Sequence, residues 1–361
     1  MLSAGEPALT VPFRIGVMQL TMEPLREILG HASTMDEAGF DTIWLAEAYP
    51  WWRKHSMEAR SATALSALIA DRTSKIAVGW GIISPYTRHP IQVAMEARVT
   101  QEAAGPGRFY LGFGASKIFM REIGDPHLPR TSIVESIEIV RAILAGEAVD
   151  YVGKVFTARI PEMTPDTDAP RDPVPIYMAG TGPRMQQTAG AIADGLLTAS
   201  ITTPGFVRYA KQNVAAGAER AGRDPDEVDI GCTIVASIHP DDRDKGRDGA
   251  REIAGMYLAN KVQNIRGSAD ILLDRAGLTL DELRPIAEAM ERGGRLAAKE
   301  EVTDEILDKT RPIAGTPQDC IDAITEYREA GCTHIMLELW GDDRNRQLEV
   351  FGREVLPRFR E

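Results

Sequence analysis

The strongest constraint on the fold is a regular alternation between short apolar segments and longer amphipathic ones, repeated eight times along the chain. Alternating strands and helices are typical of a parallel sheet whose strands are joined by right-handed crossovers. The eight predicted strands occupy residues 13–20, 41–48, 75–84, 108–115, 174–180, 195–200, 228–238 and 333–339. Eight units predict an α/β fold of the (β/α)8 TIM-barrel type; the alternative is a doubly wound sheet, which usually has fewer strands.

The length of the chain fits one barrel with insertions. Its 361 residues contain no linker rich in proline, glycine or serine, so we expect a single domain over residues 1–361. Two segments fall outside the eight units and are interpreted as insertions. Residues 149–160 are predicted to form a hairpin that turns at Gly153 and Lys154, and residues 260–312 are helical and strongly charged. Thr316 is predicted to cap the helix that follows.

Composition and charge argue against several classes of protein. The net charge of −12 disfavours binding to nucleic acids or to anionic membranes. No stretch approaches the ~18 uninterrupted apolar residues of a membrane span, and the first residues do not resemble a signal peptide. Three cysteines without a C-x-x-C pair and six scattered histidines predict neither disulfides nor a metal site. We expect a cytoplasmic protein.

The segment PVPIYMAGTGPRMQQTAG, residues 173–190, has the layout of a phosphate-binding loop. Gly180 and Gly182 allow close approach of the backbone to a ligand, Pro183 begins a helix, and Arg184 lies in its first turn. The third glycine of a dinucleotide-binding fold is absent, which disfavours NAD. The alternative interpretation is a tight strand-to-helix turn that binds nothing.

Two neighbouring strand ends are rich in glycine. GWGIISPYTRHP, residues 79–90, and LGFGASK, residues 111–117, each carry a pair of glycines separated by one residue. Glycine near the end of a buried strand marks a bulge or a close backbone contact. We interpret the two pairs as a slot for a flat ring; the alternative is a bulge that merely closes the barrel.

The end of the second predicted strand carries AEAYPWWRKH, residues 46–55. Glu47 is placed to hydrogen-bond a cofactor or to transfer a proton, and Trp51 and Trp52 are placed to line a substrate pocket. Alternatively, Glu47 pairs with Arg53 or Lys54 and the tryptophans fold onto the barrel rim. Neither a nucleophile motif nor a Walker A motif occurs, so we expect a cofactor to supply the chemistry.

These stretches together resemble the bacterial luciferase-like superfamily, in the branch that uses the deazaflavin coenzyme F420. The likeness is to methylenetetrahydromethanopterin reductase and its homologues, and it runs in order from GFDTIWLAEAY to IAGTPQDCIDAITEYREAGCTHIMLEL. The resemblance implies hydride transfer between F420 and a small organic substrate, and a homodimer. It implies cofactor contacts at Glu47, at a cis peptide between Gly81 and Ile82, and at Ser84, Ala115, Ser116, Met120, Thr181, Gly182, Arg184 and Met185.

The sequence departs from its relatives at three positions. Glu47-Ala48 stands where many members have Asp-His, Lys117 replaces an acidic residue, and Met18 occupies the place of an acid on the first strand. Glu47 and Lys117 are the catalytic candidates for proton transfer or orientation. The resemblance leaves two alternatives. One is an enzyme that uses FMN, either a monooxygenase or a methylenetetrahydrofolate reductase, and the other is a protein that has lost catalysis and only binds a ligand.

Overall fold

A computed structural model gives the structure of the chain, and it describes residues 11–47, 58–115, 128–162, 172–198, 201–263, 269–340 and 343–360. Eight strands close into a barrel in the order β1-β2-β3-β4-β7-β8-β9-β11, with β11 paired to β1 and every pairing parallel. They are β1 (Arg14–Leu20), β2 (Thr42–Ala46), β3 (Ala77–Ile83), β4 (Phe109–Phe113), β7 (Ile176–Ala179), β8 (Gly195–Thr198), β9 (Asp229–Ile238) and β11 (His334–Leu339). The predicted (β/α)8 barrel is confirmed.

Helices surround the barrel and connect its strands. They are α1 (Leu25–Ala38), α2 (Ala62–Arg72), α3 (Pro90–Ala104), α4 (Pro129–Ala145), α5 (Pro183–Ile192), α6 (Pro204–Arg220), α7 (Arg243–Gln263), α8 (Ala269–Ala276), α9 (Leu280–Glu300), α10 (Asp304–Thr310), α11 (Pro317–Glu329) and α12 (Arg344–Val350). Five of them begin with proline, whose fixed φ suits the first helical position and whose missing N–H is not needed there. Within the described part of the chain, no helix has the length and apolar character needed to cross a membrane.

The two segments interpreted as insertions contain a hairpin and a group of helices. β5 (Val149–Val152) and β6 (Thr157–Ile160) form an antiparallel hairpin, and α8, α9 and α10 lie within residues 260–312. Thr316 caps α11 in a reciprocal pair of hydrogen bonds with Asp319, as predicted. One short strand was missed: β10 (Ile313–Gly315) pairs with the last residues of β9.

The apolar core divides into three clusters. The largest lies between the barrel strands and the outer helices. A second cluster joins α7, α8, α9 and α10 to Ile201, which follows β8, and to Val235 in the C-terminal half of β9. The third fills the barrel interior and includes Trp44, Leu197 and Met336. The helical insertion therefore packs at the end of the barrel where (β/α)8 enzymes place their active sites.

Candidate active site

The glycines of β3 and β4 make room for protein side chains. A Cβ atom at Gly79 would lie 2.5 Å from ring carbons of Trp44, and one at Gly81 would lie 3.0 Å from the same ring. At Gly114 the space is taken by Ile82, 2.8 Å away. Our interpretation that these glycines leave an open slot for a flat ring is therefore wrong, because the Trp44 indole fills the barrel interior beside them.

An apolar surface lies just above Trp44, toward the C-terminal end of the barrel. Met18, Ile82 and Ala179 are partly buried and pack on the interior cluster. Ile82 and Ala179 both border Gly114, and Met18 borders Gly81, so the three side chains lie close together. We call these three residues the apolar floor. They offer a water-excluding surface to a planar ligand.

The strand behind the floor has an irregular backbone. The Gly81–Ile82 peptide bond is cis, as the resemblance implied, and the pairing of β3 with β4 shifts register between Gly81 and Ile83. Ser84 follows this bulge and is fully buried, and its hydroxyl accepts a hydrogen bond from the backbone N–H of Tyr86 at 3.3 Å. Ile82, within this irregular segment, is partly buried and packs on the interior cluster.

The loop between β7 and α5 has the geometry of an anion cradle. Gly180 is required by packing, because a Cβ atom there would lie 2.5 Å from Cβ of Met185. Gly182 precedes Pro183 at the start of α5; its φ of −84° suits any residue, and a Cβ atom there would meet nothing within 4 Å. Open space thus borders the backbone at a helix N-terminus, where the N–H groups and the helix dipole favour an anion. Arg184 is exposed beside it.

Glu47, at the end of β2, forms a two-pronged ion pair that was not predicted. Both Nη atoms of Arg88, in the loop after β3, donate to its carboxylate oxygens at 2.8 Å. Burial alone would lower the pKa of Arg88, but the hydrogen bonds and charge of Glu47 and the charge of Glu96 raise it. Because both of its oxygens are engaged by one guanidinium, the Glu47 side chain is held in a single orientation, so it suits positioning better than proton donation.

Some of the remaining predicted site residues lie in the described part of the chain and others do not. Ala115 is half-buried and packs on the main core, and Thr181 lies within the cradle loop. Trp51, Trp52, Ser116, Lys117 and Met120 lie outside the residues that the structure describes. Their roles therefore stay predictions.

Sequence reasoning missed a carboxyl group at the mouth of the barrel. Glu338 shares the inward face of β11 with His334 and Met336, and only 1% of it is exposed. Its Oε1 atom accepts hydrogen bonds from the Tyr257 hydroxyl at 2.5 Å and from the Trp340 indole at 3.3 Å. The available signal was an acidic residue in the apolar strand sequence THIMLEL.

The opposite, N-terminal end of the barrel is closed by a buried polar network. Asp229 accepts hydrogen bonds from Arg14 and Thr333, and from the hydroxyl of Tyr177 at 2.5 Å. Burial alone would raise the pKa of Asp229, but hydrogen bonding to His334 and Thr333 and the charge of Arg14 lower it below its usual range. The carboxylate is therefore ionised and fully paired.

His334 completes this network as a neutral side chain. Trp44 Nε1 can only donate, and it lies 3.3 Å from His334 Nε2, which also lies 2.7 Å from the Thr42 hydroxyl. Nε2 must therefore accept, and the ring proton resides on Nδ1, which faces Asp229 at 3.4 Å. Burial lowers the pKa of His334, in agreement with a neutral ring.

Comparison with known proteins gives consistent results along the whole chain. The sequence model of the luciferase-like monooxygenase family matches residues 8–334. The 5,10-methylenetetrahydromethanopterin reductase of Archaeoglobus fulgidus is 30% identical over 92% of this chain and 96% of its own. The F420-dependent glucose-6-phosphate dehydrogenase of Intrasporangium calvum is 26% identical over 93% of this chain and 95% of its own.

A solved structure extends the likeness to three dimensions. The coenzyme F420-dependent tetrahydromethanopterin reductase of Methanopyrus kandleri superposes with a TM-score of 0.81 and 28% sequence identity. The match covers 97% of this chain and 100% of that one. The barrel is therefore a shared feature and not a peculiarity of this sequence.

Proposed function

The chain belongs to the luciferase-like monooxygenase family, and we propose that it is an oxidoreductase that transfers a hydride between coenzyme F420 and a small organic substrate. The observation that carries the proposal is the cradle of Gly180, Thr181 and Gly182 at the start of α5, with the apolar floor at the same end of the barrel. A phosphate site and a flat apolar surface are what a phosphorylated deazaflavin needs.

The residues present fit this cofactor. Thr181 and Gly182 offer backbone N–H groups to its phosphate, and Arg184 offers a charge-assisted hydrogen bond. Met18, Ile82 and Ala179 support one face of the ring, and the predicted contacts also include Gly81, Ser84, Ala115, Ser116, Met120 and Met185. When bound, the deazaflavin supplies a carbon that carries and releases hydride, and it exchanges electrons in pairs.

Glu47 and Lys117 are the proposed residues for orientation and proton transfer. Both oxygens of Glu47 accept hydrogen bonds from Arg88, so the carboxylate is held in one orientation after β2. Lys117 is the candidate for a mobile proton, since an ammonium group can donate one at neutral pH. Trp51 and Trp52 are proposed to line the substrate pocket. The first substrate to test is 5,10-methylenetetrahydromethanopterin, because the Archaeoglobus fulgidus relative is named as a reductase of this compound.

Titration of the purified protein with F420 and with FMN tests the cofactor. Quenching of F420 fluorescence with a saturable isotherm, and at least tenfold weaker binding of FMN, is the expected result. Tight binding of FMN without binding of F420 would favour the alternative of a monooxygenase or a methylenetetrahydrofolate reductase. A folded sample that binds neither would favour a protein that has lost catalysis.

We further propose a homodimer in which α2 and α3 meet their copies. Leu68 on α2 and Met95 and Val99 on α3 are exposed, and the two helices pack against each other. Large exposed apolar side chains on neighbouring helices favour contact with another protein surface. A doubled mass in light scattering, reduced to the monomer mass by Met95→Glu, is expected.

We also propose that residues 1–361 form one domain and that the protein is cytoplasmic. The barrel strands span residues 14–339, and the first and last of them pair in one sheet. Cys232, Cys320 and Cys332 are buried free thiols, and unpaired cysteines are typical of a reducing compartment. Limited proteolysis that yields no stable fragment, and a single unfolding transition, are the expected results.

A further inference from the structure

A buried amide side chain lies directly beneath the cradle. Gln186, in the second turn of α5, is fully buried. Its Nε2 atom donates to the carbonyl oxygen of Thr181 at 3.2 Å and lies 3.5 Å from that of Gly180. These two carbonyl groups therefore face into the protein, toward Gln186.

The orientation of the carbonyl groups fixes the orientation of the neighbouring N–H groups. In a trans peptide unit the C=O and the following N–H point in opposite directions. Because the carbonyls of Gly180 and Thr181 face Gln186, the N–H groups of Thr181 and Gly182 face away from it. Among the described residues neither N–H has a hydrogen-bond partner, and the space beside Gly182 is open.

Gln186 is itself fixed by a second amide. Asn213 on α6 donates through Nδ2 to Oε1 of Gln186 at 3.0 Å and to the backbone oxygen of Tyr209 at 3.0 Å. With its oxygen engaged by a donor, the Gln186 amide cannot flip, and its NH2 group must face the loop. The hydrogen bonds therefore run in one direction: Asn213 donates to Gln186, and Gln186 donates to the carbonyl oxygen of Thr181.

We infer that Gln186 is a positioning residue that turns the N–H groups of Thr181 and Gly182 toward the phosphate of the cofactor. The inference rests on the proposed function, since it assigns the cradle to the phosphate of F420. Gln186 does not touch the ligand. It acts by holding two carbonyl oxygens, which would repel a phosphate, on the inner side of the loop.

The test compares two ligands on the same protein. F420 carries the phosphate; a deazaflavin that ends at its ribityl chain presents the same ring without it. Gln186→Met keeps the size of the side chain and removes both hydrogen-bonding groups. We expect it to raise the Kd of F420 about tenfold and to leave the Kd of the phosphate-free deazaflavin within about twofold.

Two further variants control for a general loss of structure. Gln187→Met alters the next residue of α5, whose amide contacts Asn213 and Arg220 instead of the loop, and we expect both Kd values to stay within about twofold. Asn213→Leu leaves Gln186 in place without its anchor, and we expect an intermediate loss of about threefold for F420 alone. The Asn213 variant also provides the test if Gln186→Met does not fold.

The possible outcomes separate this inference from the function on which it rests. Equal weakening of both ligands by Gln186→Met would assign Gln186 to the general packing of α5, and unchanged binding of F420 would deny it any role; either result overturns the inference. Wild-type protein that binds neither ligand would instead overturn the proposed function.

Discussion

The two ends of the barrel differ in how their polar groups are paired. At the N-terminal end, Arg14, Asp229 and His334 form a network in which every charge and ring nitrogen described above is paired inside the protein. At the C-terminal end, the apolar floor is partly exposed, and the N–H groups of Thr181 and Gly182 have no hydrogen-bond partner among the described residues. The contrast teaches that polar groups stabilise the barrel where they are paired internally, and are free for a ligand where they are not.

The largest expected effect comes from breaking the network at the N-terminal end. Asp229→Asn leaves the Arg14 guanidinium without its counter-charge in the barrel, and we expect a loss of about 3–5 kcal/mol in the free energy of unfolding. Denaturation in urea measures it. Asp150→Asn is the matched control, because its ion pair with Arg159 is exposed on the hairpin and is worth at most about 1 kcal/mol. Equal losses in both variants would contradict the contrast between the two ends.

Acid acts on the same network without a mutation. The folded pKa values of Asp229 and His334 both lie below their usual values of 3.8 and 6.5, so the unfolded chain binds more protons at acidic pH. Their stabilisation is present in full above pH 6.5 and declines as the pH falls, first through His334 and then, below pH 3.8, through Asp229. Unfolding free energies measured between pH 7 and 3 test this. An unfolding free energy that rises toward low pH would mean that the folded protein binds more protons than the unfolded chain, which would contradict this account.

A smaller loss of stability is expected from a substitution in the barrel interior, below the apolar floor. Gly79→Ala places a methyl group against the Trp44 ring, and we expect a loss of about 1–3 kcal/mol in the free energy of unfolding. Gly182→Ala is the matched substitution in the cradle, where the added methyl group meets open space and the stability should fall by no more than about 1 kcal/mol, the cost of replacing a glycine N-cap by alanine. Thermal unfolding of both variants decides the comparison. A larger loss for Gly182→Ala would mean that the cradle is part of the packed core.

The smallest change in stability, but a clear change in binding, is expected at the cradle. Arg184→Gln removes an exposed guanidinium that has no side-chain partner among the described residues, so the unfolding free energy should be unaffected. The Kd of F420 should rise roughly tenfold through the loss of a charge-assisted hydrogen bond. An Arg208→Gln variant, altered on a neighbouring helix, serves as the charge-matched control. Equal Kd values of F420 for the two variants would show that Arg184 does not contact the cofactor.

The fold was predictable because it depends on patterns that are local in sequence. Eight apolar segments with helical sequence between them leave few arrangements other than a barrel, and the cradle was visible because its two glycines and Pro183 lie within four residues. β10 was missed because three residues are too few to show a period of two.

The details of the site were less predictable because they depend on residues far apart in the chain. Arg88 pairs with Glu47 across 41 positions, and nothing near Glu47 indicates that partner. The glycines of β3 and β4 were assigned to a ligand because the chain does not reveal that Trp44 points into the barrel beside them. Gln186 was passed over because an amide within a helix is ordinarily exposed.

The most direct test of the account is a crystal structure of the protein with F420 bound. We predict that the phosphate lies within hydrogen-bond distance of the N–H groups of Thr181 and Gly182 and of the Arg184 side chain, with the deazaflavin ring on Met18, Ile82 and Ala179. A phosphate bound elsewhere, or a ring that lies away from this surface, would contradict the assignment of the C-terminal end of the barrel to the cofactor.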